Sequence, residues 1–292
     1  MLYYRYQLWS SLLASWLVLT PCWSSAAQSP IEFPATVDVE LIFPRNDTYA
    51  PANIVPIVFA IRNSQLAAPL DLSFDWNLWN LDNLSAPGAG GLFDLTNVNF
   101  SNVSDPYFAY EYVTELNVTE ARWSLVWSMG SGNCSRPDGA TGDDKTASSL
   151  SFYNRDRNVR FTTRNGAQQP DLAAAATTDA DACTDNYFTF NVTGVLDTPL
   201  GAKYDGRETC AVLAPTNMSA TPTEKLCGFG ADASAVSSIL AGITATACSS
   251  LHPVISCPPD APSGASAGKG MSFLVTRIAW LEVAVLVGLL FC

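Results

Sequence analysis

Along much of the chain apolar residues fall at every second position. Val37, Val39, Leu41 and Phe43 form one such row, the period of a strand that turns one face to a core. Pro44-Arg45-Asn46-Asp47 supplies turn chemistry, and residues 54–61 return as a near-continuous apolar strand. Phe74, Trp76 and Leu78 repeat the period, as do Trp123, Leu125, Trp127 and Met129. Phe188, Phe190 and Val192 do so against Thr189 and Asn191. Helical spacing is confined to the second half. Asp232 is placed to N-cap a helix ending near residue 247, with Val236, Ile239, Leu240 and Ile243 on its apolar side. An Ala-rich stretch over 171–183, after Pro170, reads as a short helix, and 132–149 and 165–169 read as loops. Many short strands with polar turns predict an all-β sandwich of antiparallel strands, with one or two short disulfide-tethered helices in the C-terminal half. Trp76, Trp123 and Trp127 are its expected core rings.

Both ends depart from this pattern. Residues 1–27 combine Arg5, an apolar stretch over 8–19 and small residues at Ser24, Ala26 and Ala27, which predicts a cleaved signal peptide. The stretch is short of the roughly 20 residues that a spanning helix needs. A single ectodomain is expected over 28–258, then a Pro/Gly/Ser stalk over 259–272 and a hydrophobic tail over 273–292. Small residues, a spacer and an apolar tail form a glycosylphosphatidylinositol signal, with Ser266 as first and Ser263 as second attachment residue. A membrane span is the alternative for the tail; Glu282 weighs against it.

Composition sharpens the expected address. The formal net charge is −12, which disfavours nucleic acid and anionic lipid, so contact with a membrane is expected through the lipid anchor only. Arg155, Arg157, Arg160 and Arg164 interrupt the acidity and read as a solvated strand face and loop, paired with neighbours such as Asp156. Eight Asn-x-Ser/Thr sequons, at Asn46, Asn83, Asn99, Asn102, Asn117, Asn133, Asn191 and Asn217, predict an N-glycosylated surface. Of eight cysteines, Cys134, Cys183, Cys210, Cys227, Cys248 and Cys257 lie between the two terminal signals. An even set in an oxidising compartment predicts three disulfides. The connectivity is open; the preferred pairs are Cys134 with Cys183, Cys210 with Cys227, and Cys248 with Cys257.

The segments IEFPATVDVELIFPRNDTYAP, IVPIVFAIRN and LDLSFDWNLWN carry a family resemblance. The chain over about residues 30–258 resembles secreted proteins of filamentous ascomycete fungi that are classified only as a domain of unknown function. The resemblance implies a fungal cell-surface setting and transfers no catalytic residues.

Candidate chemistry is sparse. His252 is the single histidine, no CxxC spacing occurs, and neither a nucleophile elbow nor a phosphate-binding glycine loop is present. No catalytic residue, cofactor or metal is therefore assigned. A calcium loop over 138–144 lacks EF-hand spacing. Glu40, Asp75, Glu111 and Glu115 are the carboxylates in or beside predicted strands, and outward positions in water are expected for them. Trp79 points opposite Trp76 and is the candidate sugar contact, with Tyr107, Tyr110 and Tyr112 as aromatic neighbours. The expected function is that of a structural or interaction protein of the cell surface, with cell-wall polysaccharide or a surface protein as partner. A carbohydrate-binding module and a glycoside hydrolase using two carboxylates are the alternatives.

Overall fold

Period-two patterning with both polar and apolar rows builds two five-stranded sheets. The computed structural model describes residues 31–100, 103–117, 120–136, 145–176, 186–199, 207–215 and 231–258. Its strands are β1 (Ala35–Phe43), β2 (Thr48–Tyr49), β3 (Val55–Arg62), β4 (Ser73–Asn80), β5 (Ala89–Asp94), β6 (Tyr107–Val113), β7 (Ala121–Ser135), β8 (Ser149–Thr163), β9 (Tyr187–Asp197) and β10 (Thr209–Leu213). One sheet, here A, runs β10-β9-β1-β3-β6, and the other, B, runs β2-β8-β7-β4-β5. All strand pairs are antiparallel except β2 with β8.

The sheets close on each other through aromatic rings. Phe59 of β3 meets Phe74 at 4.6 Å and Trp127 at 5.1 Å between ring centres, and Phe188 of β9 meets Trp127 at 4.9 Å. Trp76, Trp123 and Trp127 are all buried. Such rings remove about 150 to 250 Å² each from water, or roughly 4 to 6 kcal/mol by area, so they carry a large share of the core. The Trp123 indole donates to the Thr163 hydroxyl at 2.8 Å, and the Trp76 indole donates to the Glu111 carboxylate at 3.2 Å. Gly91 makes room for the second bond, because a Cβ there would collide with Glu111 and the Trp76 ring.

Two helices lie against sheet A. α1 (Leu172–Ala175) starts at Asp171, whose carboxylate accepts from the Ala173 and Ala174 amides. α2 (Ala233–Cys248) is capped by Asp232, which accepts from the Ala235 amide at 2.7 Å. Val236, Ile239 and Ile243 are its buried row, while Leu240 is exposed. α2 approaches β6 at Gly242, where any Cβ would collide with the Tyr110 ring. The rest of the expected helix over 171–183 lies outside the described residues.

The disulfides correct part of the expected pairing. Cys248 joins Cys257 as expected. Cys134, however, joins Cys210 rather than Cys183, so Cys210 does not pair with Cys227; Cys183 and Cys227 themselves lie outside the described residues. The physical reason is register. β7 does not stop at Met129 but continues through Gly130 and Gly132 to Ser135 beside β8, which carries Cys134 to β10. There Ala147, Leu150, Leu196 and Val212 form a small separate core around the sulfurs. With 76 residues between its cysteines, this bond restricts the unfolded chain by about 4.5 kcal/mol in the loop-entropy picture, against about 2.6 kcal/mol for the short Cys248–Cys257 loop.

Candidate functional site

Burial reverses the expectation for two of the candidate carboxylates and adds one that the pattern did not single out. On β1, Val37, Val39 and Leu41 face sheet B, so Asp38 and Glu40 share the outer face of sheet A. Both are nonetheless buried, at 2% and 3% exposure. Asp38 accepts from the Thr189 hydroxyl at 2.8 Å and lies 3.9 Å from Arg62. Burial pushes its carboxyl above the usual range, while Thr189 and Arg62 pull it back. Glu40 lies 3.5 Å from Arg45, whose guanidinium also donates to the Ile42 carbonyl at 3.0 Å and to the Ala175 carbonyl of α1 at 3.1 Å. The Arg45 amide donates to the Tyr49 hydroxyl at 3.1 Å; burial first, and then the Asp47 charge, push that phenol up to about 12. These groups tie α1 to β1 and offer no open surface to a substrate.

Glu111 also departs from the expected outward position. It lies on the inner side of β6, in register with Ile57, and is held by the Trp76 indole. Glu115 follows β6 in a loop and accepts from the Thr114 amide at 2.9 Å. Asp75 lies on the outer side of sheet B, half-buried on β4, and unlike Glu40 it is not sealed there. His252 is exposed within the loop closed by Cys248–Cys257. Among the described residues no three His, Cys, Asp or Glu side chains gather as metal ligands; residues 138–144 lie outside them.

The outer face of sheet B is different. Trp76 and Leu78 point inward, so Asp75, Asn77 and Trp79 point outward, and Trp79 is 47% exposed. Register sets its neighbours across the sheet. One rung reads Trp79, Ser124, Arg160; the next reads Gly90, Asn77, Val126, Asn158; the third reads Leu92, Asp75, Ser128, Asp156. Strands spaced about 4.8 Å apart put Trp79 and Arg160 on either side of the small Ser124, roughly 10 Å strand to strand. Ser124, Val126 and Ser128 thus floor a shallow trough along β7, walled by β4 and β8. At its upper end Arg122 is neutralised by Asp82, which accepts from the Arg122 Nε at 2.8 Å and from the Arg122 amide at 2.8 Å. Those bonds hold the Asp82 carboxyl below the usual range. Arg160 forms no ion pair among the described residues, so the expected pairing of this arginine with a neighbour is not found.

Tyr107, Tyr110 and Tyr112 do not join Trp79. They belong to β6 of the other sheet, with Tyr110 beneath α2, because nearness in sequence to β4 does not place β6 beside it. Of the sequons, Asn46, Asn83, Asn99 and Asn117 are exposed in connections between strands. Asn191 is half-buried on the outer side of β9, and the Thr36 hydroxyl donates to it at 3.4 Å. Asn133 is half-buried in β7 and accepts from the Leu213 amide at 2.9 Å. None of these six lies on the outer face of sheet B. Asn102, Asn217, Ser263 and Ser266 lie outside the described residues.

Fold and surface together define a helix-backed, disulfide-linked β-sandwich with one covered and one open sheet face. A family model described as Domain of unknown function (DUF7136) matches residues 32–257, and the chain belongs to that family. No curated protein and no solved structure matches the chain. Among the described residues no helix is long and apolar enough to cross a membrane.

Proposed function

We propose that the protein works outside the cell as an N-glycosylated interaction protein of the fungal surface or wall, and that the outer face of sheet B holds a neutral wall polysaccharide. A signal peptide over 1–27 delivers it, and a lipid anchor at Ser266 or Ser263 retains it. Even cysteine use and the eight sequons support the address. One observation carries the binding role: the open face of sheet B bears an exposed Trp79 beside small and amide side chains, and no described sequon lies on it. An indole lying on a sheet gives a sugar ring a flat apolar partner, while Asn77 and Asn158 supply donors and acceptors for its hydroxyls. Glycans at Asn46, Asn83, Asn99 and Asn117 would coat the connections and leave the trough clear.

The test is retention of the glycosylated protein on insoluble chitin, β-glucan and mannan, with Trp79→Ala alongside. The variant is expected to lose retention on the polymer that holds the parent. Equal retention of the two proteins removes this reading.

A further inference from the structure

The other side of β8 carries a second, separate arrangement. Tyr153, Arg155 and Arg157 alternate with Asn154, Asp156 and Asn158, so they point away from the Trp79 face. Among the described residues β2 meets β8 only at Thr162 and Thr163. Along its first part β8 is therefore an edge strand, and these side chains reach solvent: Arg157 and Tyr153 are exposed, and Arg155 is half-buried. The Arg157 guanidinium sits 4.6 Å from the centre of the Phe188 ring, which is itself braced edge-on by Trp127 at 4.9 Å. A cation held over an aromatic face is restrained in place.

Neither arginine forms an ion pair among the described residues; the only polar contact is Arg157 Nη1 donating to the Asp156 carbonyl at 3.4 Å. The Asp156 carboxylate is on the opposite face, in register with Ser128, and cannot compensate them. Burial and the charge of Arg157 both press the Arg155 guanidinium down from its ordinary value. In a chain of net charge −12, two adjacent cations that no described carboxylate pairs repel each other. An anion between them would relieve that repulsion through charge-assisted, two-pronged hydrogen bonds.

The geometry points to an anion site at Arg155 and Arg157 that takes the sulfate or carboxylate group of an acidic saccharide, with Tyr153 as the flat partner for its ring. This site is independent of the neutral polysaccharide face, from which β8 separates it. The proposed ligand comes from solution; the chain's own acidic stretch containing Asp179, Asp181 and Asp185 lies outside the described residues.

The experiment titrates the glycosylated protein with a sulfated dextran oligomer and with uncharged dextran of equal length. The sulfated oligomer is expected to bind and the uncharged one not to bind. Arg155→Ala with Arg157→Ala weakens that binding about tenfold or more, and the double lysine variant recovers only part of it, because an ammonium lacks the planar fork. Trp79→Ala leaves it unchanged. Thermal melts equal to the parent's certify that the variants fold. Several outcomes overturn the site: no preference for the sulfated oligomer, a double alanine variant that binds like the parent, or an equal loss from Arg136→Ala with Arg164→Ala. Loss on Trp79→Ala alone moves the anion to the other face and also overturns it. Binding that emerges only after Asp179, Asp181 and Asp185 are changed to Asn shows an internal occupant and refutes the solution ligand.

Discussion

The outer faces of sheets A and B start from the same alternation of apolar and polar residues and end in opposite states. On sheet A the polar row of β1, Asp38 and Glu40, is buried and tied to Arg62, Thr189 and Arg45, with α1 packed against β1. On sheet B the corresponding row of β4, with Asn77 and Trp79, stays in solvent. Polar residues under a cover are committed to holding the cover, whereas those on an open face remain available to a partner. The contrast gives one face to stability and leaves the other to the binding role proposed above, and substitutions can separate the two.

The largest expected effect is at Glu40. Replacing it with Ala leaves Arg45 buried without its carboxylate, and a loss of about 3 kcal/mol is expected in denaturant unfolding; a loss below about 0.5 kcal/mol would break the comparison. Gly242→Ala comes next, because the new methyl must displace the Tyr110 ring from under α2. A cost of about 1 to 3 kcal/mol is expected, together with earlier proteolysis of the helix.

Asp38 gives a smaller, pH-dependent effect. Its folded carboxyl lies above the ordinary value, so protonation favours the fold. Its contribution is fully present below the unfolded value and is lost as pH rises through the folded one. Asp38→Asn keeps the acceptor for Thr189 without the charge. Its melting temperature relative to the parent is therefore expected to rise between acidic and neutral pH. A pH-independent difference between the two proteins would remove this account of Asp38. The smallest stability effect belongs to the open face: Trp79→Ala is expected to change unfolding by less than about 0.5 kcal/mol while abolishing polysaccharide retention. A large stability loss there would show that Trp79 is covered after all.

Strict alternation made β1, β4, β7 and β9 legible, and helical spacing with Asp232 at its head did the same for α2. β5 and β8 were harder to read because their content opposes the rule. β5 is rich in glycine, placed where Asn77 and Trp76 need room, and β8 carries a charged or amide residue at every position over 154–158. The burial of Asp38 and Glu40 could not be read from period two, since β9, with Thr189, and α1, with Ala175, come from more than a hundred positions further along the chain. The outward turn of Trp79 was legible by parity with Trp76. Its neighbours Ser124 and Arg160 were not, because cross-strand register depends on pairings that no local pattern records. Preferring local pairs sets Cys134 against Cys183, whereas the extension of β7 decides its partner.

The Cys248–Cys257 bond closes a ring directly behind α2, at the point where the chain leaves for its C-terminal end. Mechanical load arriving from that end bypasses residues 249–256 and enters the last turn of α2 through sulfur. The helix and the sheet beneath it are then loaded as a unit, and the loop cannot be paid out as slack. Reduction of this one bond would free residues 249–256 to extend under such a load while leaving the open sheet face as it was.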